Sequence, residues 1–96
     1  MFLEKYVNTV YLDLIYSNYD DEYINNLEEE NFVNIYNLLK ENKFYFIEDM
    51  ILNYLEIFTM EYDDVYNGLN RLKEKLGESY VYIIGNNMTY LEDIKK

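Results

Sequence analysis

Cysteine, histidine, proline, tryptophan, alanine and glutamine are all missing from the 96 residues, and glycine occurs three times. Without cysteine there is no disulfide framework, thiolate nucleophile or thiolate metal site, which suits a reducing compartment. Without histidine the commonest general base is gone, and with it the Ser-His-Asp arrangement and the usual zinc sites. Gly68, Gly77 and Gly85 are isolated, so no glycine-rich loop is present to cradle a phosphate. The longest apolar tract, Phe44 to Phe58, is interrupted by Glu48, Asp49, Asn53 and Glu56 and is too short to span a bilayer. The opening Met1-Phe2-Leu3-Glu4-Lys5 lacks the pattern of a secretion signal, and the sequon Asn87-Met88-Thr89 is read as chance. A cytoplasmic protein with no membrane segment is expected.

Half of the residues are apolar, enough for one core in a chain of this length but not for two. Thirteen asparagines and thirteen tyrosines beside the missing residue types suggest AT-rich codons, as in a low-GC bacterium or its phage. Codon bias does not account for the acidity, because it supplies lysine as readily as asparagine, and only seven lysines are present. The net charge is −11 and is unevenly placed. Residues 1–70 hold fifteen acids against three bases (Lys5, Lys40 and Lys43), whereas residues 71–96 hold five bases against four acids. A field of this sign repels nucleic acid and anionic membranes and attracts basic proteins, so direct nucleic-acid binding is not expected.

Apolar residues recur at helical spacing along most of the chain. Leu3, Tyr6, Val7, Val10, Leu14 and Ile15 predict a helix over Phe2–Tyr16, ended by Ser17-Asn18-Tyr19. Asp20 or Asp21 caps a short helix to Glu29, and Phe32, Ile35, Tyr36 and Leu39 define the next over Glu30–Glu41, with Asn42 as a left-handed terminator. Lys43 to Phe58 is apolar around most of the helical wheel, which predicts either a central core helix or one that covers a second surface. Thr59–Tyr62 forms a break. Asp63 then caps the clearest amphipathic helix, with Val65, Leu69, Leu72 and Leu76 on one face and Gly77 past its end. Tyr80–Ile84 has strand-like composition but no partner strand, so it is read as a buried helix ended by Gly85, with a single short strand as the alternative. Thr89 and Glu92 fit a capping box for a last helix through Ile94. The fold class is all-α: one compact acidic domain, a bundle of six or seven short helices.

Metal and catalytic readings are weak. Asp63, Asn67, Gly68 and Glu74 stand at positions one, five, six and twelve of an EF-hand loop, but Val65 fills position three and the loop would unwind the clearest helix. Three consecutive acids, as at Asp20, Asp21 and Glu22 or Glu28, Glu29 and Glu30, point in different directions on a helix and form a solvated face. No metal, cofactor or catalytic residue is assigned, and no enzyme activity is expected.

About half of the tyrosines, including Tyr6, Tyr36, Tyr54 and Tyr66, are expected in core or boundary positions. Acids flank Tyr19, Tyr23 and Tyr62, which with Tyr45 become surface candidates suited to a protein interface. Carboxylates at Asp20, Asp21, Glu22, Glu28, Glu29, Glu30, Asp63 and Asp64 then stand where phosphates bind on a basic partner. In size, acidity and lack of catalytic residues the chain is similar to phage-encoded anti-CRISPR proteins and to nuclease immunity proteins. The likeness is one of character, carried by no motif. It implies an inhibitor or immunity protein that mimics DNA on a nuclease or nucleoprotein such as a CRISPR effector. The competing expectation is a helical interaction or structural module, a homodimer or subunit joined through Phe44 to Phe58.

Overall fold

The computed structural model describes residues 2–95, and no strand occurs among them. Six α-helices follow in order: α1 (Thr9–Asn18), α2 (Asp21–Asn25), α3 (Glu29–Glu41), α4 (Ile47–Asn53), α5 (Tyr62–Leu76) and α6 (Tyr80–Asn86). Three 3-10 turns, Phe2–Lys5, Leu55–Thr59 and Met88–Asp93, link or end them. Tyr80–Ile84 is therefore helical, as its missing partner strand requires. Gly85 lies inside α6 rather than ending it.

The first predicted helix is split, because Asn8 competes for the backbone. Its Oδ1 accepts the Tyr11 amide at 3.0 Å and caps α1, while its own N–H donates to Glu48 Oε2 at 2.9 Å. The split resets the helical phase. Leu3, Val7 and Ile15 reach the core as expected, but Val10 and Leu14 face solvent at 68% and 45% exposure. The α1 helix also runs through Ser17, whose hydroxyl donates to the Asp13 carbonyl.

Lys43 to Phe58 is likewise not one helix. It enters through Lys43, the left-handed residue at φ 69°, a place expected for Asn42. Asn42 instead keeps φ −90° and donates its side-chain amide to the Leu38 carbonyl at 2.8 Å. A second break at Tyr54 (φ −137°, ψ 44°) separates α4 from the Leu55–Thr59 turn. Burial explains the apolar circumference: Phe44, Phe46, Ile47, Met50, Ile51, Leu55, Ile57 and Phe58 all lie in this chain's own core. Tyr45 is the exposed apolar residue of the segment, so most of the surface expected there for a homodimer or subunit contact is spent inside the chain.

The rest of the core is built on α3 and α5. Phe32 carries rings on several sides, with Phe58 at 4.9 Å, Phe2 at 5.2 Å and Tyr6 at 5.4 Å between centroids. Helix α5 starts at Tyr62 with Glu61, not Asp63, in the capping position, and Gly77 closes it at φ 88°, a conformation that disfavours any side chain. Gly68 on α5 lets the buried Ile94 pack against the helix backbone. The tail turn is capped by Asn87, whose Oδ1 accepts the Thr89 amide at 3.3 Å, in place of the Thr89–Glu92 box.

Candidate partner-binding surface

Each acidic cluster sits where a helix begins. Asp21 and Glu22 lie in the first turn of α2, Glu29 and Glu30 in that of α3, and Asp63 and Asp64 in that of α5, with Asp20 and Glu28 in the two capping positions. Neither cap makes a side-chain hydrogen bond to the helix. Their local effect is electrostatic: a carboxylate near the free amides of a helix start is worth about 0.3–1 kcal/mol.

Tertiary contacts bring the three clusters around one short segment. The Tyr19 hydroxyl, next to Asp20, accepts the Leu55 amide at 3.3 Å. Asn31, next to Glu30, donates to the Phe58 and Met60 carbonyls at 3.1 and 2.9 Å. Asp63 and Asp64 follow Met60 after Glu61 and Tyr62, in the first turn of α5. At the far side the Tyr80 hydroxyl donates to Asn42 Oδ1 at 3.3 Å, so α3 and α5 leave one corner of the molecule and arrive at another. The first turns of both helices are acidic, and their last turns hold Lys40, Lys73 and Lys75. Glu41 and Glu74 share those last turns, so the far ends are mixed in sign whereas the helix starts carry acids alone.

The bases are mostly spent elsewhere. Lys95 bonds Glu56 at 2.8 Å and Glu92 at 3.1 Å, Lys75 pairs with Asp93 at 3.5 Å, and Lys73 with Glu78 at 3.9 Å. Arg71 donates to the Asp93 carbonyl. Among the eight cluster carboxylates only Glu29 meets a base within the described residues, Lys5 at 3.8 Å, and both side chains are exposed. Asp20, Asp21, Glu22, Glu28, Glu30, Asp63 and Asp64 project into solvent without a cationic partner among the described residues.

The acids that sequence reasoning left unassigned on α4 have structural partners. Glu48 holds the Asn8 amide, and Asp49 accepts the Tyr11 hydroxyl at 2.8 Å, which pushes that phenol up from its ordinary range. Burial, chiefly, does the same for Tyr19 and Tyr80, and the hydrogen bonds to Glu56 and Glu92 push the Lys95 ammonium up.

The tyrosines divide differently from expectation. Tyr6, Tyr36 and Tyr54 are half-buried as expected. Tyr19, expected at the surface, is half-buried on Leu55, and Tyr23 stacks on it at 5.7 Å while staying exposed. Tyr66, expected inside, is 48% exposed and stacks at 6.4 Å on the exposed Tyr62, one turn earlier on α5. Tyr45 is exposed at 67%, its ring laid across Gly85. Val10 and Leu14, which the periodicity placed on the apolar face, are exposed, as is Tyr82.

Asp63 and Glu74, the two ends of the EF-hand match, lie on the uninterrupted helix α5 about 16 Å apart, and Val65 between them is in the core. Among the described residues no three His, Cys, Asp or Glu side chains converge as a metal site, and no helix is long and apolar enough to cross a membrane. The grooves are open; in the one lined by Arg71, Leu72, Lys75 and Asp93, Arg71 donates to the Asp93 carbonyl and Lys75 to its carboxylate. Comparison with protein-family models, with curated proteins and with solved structures finds no match to this chain.

Proposed function

We propose that this protein is a non-enzymatic acidic inhibitor or immunity protein that docks on the basic nucleic-acid-binding surface of a cytoplasmic nuclease or nucleoprotein, a CRISPR effector being one such target. The observation that carries the reading is the set of seven exposed carboxylates without cationic partners among the described residues, gathered from three helix starts around Leu55–Met60. A chain acidic only for solubility gains by interspersing both signs, whereas here Lys73, Lys75 and Lys95 are spent on Glu56, Glu78, Glu92 and Asp93. Guanidinium and ammonium groups that normally hold phosphates bind such carboxylates through charge-assisted hydrogen bonds. Tyr23, Tyr62 and Tyr66 add rings beside the acids for contact with the same side chains.

Retrieval from a host lysate at low and moderate salt tests the reading. The expected partner is a basic nuclease or nucleoprotein, released by salt and displaced by DNA or RNA in competition. A partner that binds nucleic acid and this protein at once would sink the mimicry. A second reading, a helical module that works as a dimer or subunit, is favoured by one different observation, the exposed aliphatic residues of α1.

A further inference from the structure

We infer that the groove between α3 and α5 is a subsite for one arginine side chain of a basic protein partner, which rests on the docking proposed above and gives it a specificity. The groove is lined by Asn34, Asn37, Leu38 and Glu41 of α3 and by Tyr62 of α5. The four α3 positions are spaced i, i+3, i+4 and i+7, so they form one strip along that helix. Leu38 is buried and supplies an apolar floor, while Asn34, Asn37, Glu41 and Tyr62 are exposed around it. Tyr66 stacks on Tyr62 at 6.4 Å with the ring planes 17° apart, so a second, nearly parallel ring extends the aromatic wall along α5. At about 360 Å³ the groove is at the small end of ligand clefts, with room for a side chain rather than a whole helix or strand.

Its lining suits a cation on an apolar stem. Glu41 is the charged side chain of the groove, and no base pairs with it among the described residues. Lys40, its neighbour in sequence, lies instead over the Tyr36 ring at 5.7 Å. Asn34 and Asn37 each bring an amide oxygen, and neither side chain has a hydrogen-bond partner among the described residues. An ammonium is a compact point charge that Glu41 alone satisfies. A guanidinium is planar, carries five donors and stacks on an aromatic face, while its methylene stem covers apolar surface. It uses the carboxylate, the amide oxygens, the Tyr62 ring and the Leu38 floor together, so the groove favours arginine over lysine.

Tyr62 directly precedes Asp63 and Asp64, so the groove adjoins the acidic start of α5. A basic surface drawn to those carboxylates brings its side chains to the groove's edge. The carboxylates of the helix starts attract any cation, whereas the groove distinguishes cations of equal charge.

Hexa-arginine amide and hexa-lysine amide, equal in charge, are titrated into the nitrogen-15-labelled full chain, in which the side-chain amides of Asn34 and Asn37 report directly. Both peptides should bind by charge and weaken with salt. Hexa-arginine should bind about three- to tenfold more tightly and shift both amide signals. Glu41→Gln and Tyr62→Leu, with helix content unchanged, should each bring the two affinities closer, and Glu78→Gln should leave the preference as it was. Equal affinity of the two peptides, Asn34 and Asn37 signals that stay still under hexa-arginine, or a preference that survives both groove variants would overturn the subsite and leave the acidic docking surface standing. Binding of neither peptide would remove that surface and the subsite with it.

Discussion

The Tyr19 hydroxyl accepts the Leu55 amide at 3.3 Å, across thirty-six positions of sequence. The bond sits where Tyr54 breaks the α4 ladder and sets Leu55 free, so it satisfies a backbone donor that burial would otherwise strand. It also holds the start of α2, and with it Asp20, against the segment that Asn31 grips from the other side.

Tyr19→Phe keeps the ring stacked on Tyr23 and removes the acceptor for Leu55 together with the hydroxyl's contact to Glu56. Loss of about 1–2 kcal/mol is expected, the cost of an unsatisfied buried amide, read from the urea midpoint. Tyr23→Phe, which changes a hydroxyl at an exposed position, should cost less than about 0.5 kcal/mol in the same experiment.

Stability should fall in alkali. Tyr11, Tyr19 and Tyr80 are raised from 10.0, and Lys95 is raised from 10.5. In each case the folded chain holds its proton more tightly than the unfolded one. The contribution is therefore complete below the unfolded values and is lost as pH rises through the folded ones. Denaturant midpoints between pH 8 and 11 should hold steady and then decline above about 10, with a shallower decline in Tyr11→Phe. A midpoint that rises in alkali would contradict the hydrogen bonds from Tyr11 to Asp49 and from Lys95 to Glu56.

Gly85 and Tyr45 should be coupled. A methyl group on Gly85 meets the Tyr45 ring and hydroxyl, with Phe46 Cε1 at 3.1 Å. Gly85→Ala should be neutral or destabilising in the native background, because the displaced rings offset the gain in helix propensity. In a Tyr45→Ala background, where only Phe46 Cε1 stays close, the same change should be less unfavourable by the cost of the Tyr45 contact. The difference between the two thermal denaturation series measures the contact. Equal effects in both backgrounds would show that Tyr45 does not rest there.

Charge reversal separates capping from binding. Reversing Asp20, Asp21 and Glu22, or Glu28, Glu29 and Glu30, or Asp63 and Asp64 to Lys removes favourable charge from a helix start, at about 0.3–1 kcal/mol per acid. Association with a captured basic partner should slow and weaken far more than that loss of stability explains. Glu78→Lys and Glu92→Lys should leave the partner's affinity nearly unchanged while lowering stability slightly, since they abolish surface pairs with Lys73 and Lys95. Full affinity in all three cluster variants would remove the carboxylates from the interface.

Composition and periodicity alone established an all-α acidic chain without the side chains of ordinary hydrolytic catalysis, and located most helices to within a few residues. Those are local properties: apolar spacing, missing residue types and charge are written along the chain. Helix α5 was legible because its face, its basic last turn and Gly77 agree. Asn8 was not, because its capping role depends on Glu48, forty positions away, receiving its amide. Nor was the break at Tyr54, which persists because Tyr19 satisfies Leu55. Once those two breaks reset the helical phase, Val10 and Leu14 turned outward and the apolar Phe44–Phe58 segment became this chain's own core. The carboxylates could be listed from the sequence, but their gathering around Leu55–Met60 and their lack of cationic partners among the described residues were decided by tertiary contacts. Which surface is left for a partner depends on where helices stop and what each break is bonded to, and those bonds join residues that the one-dimensional pattern does not relate.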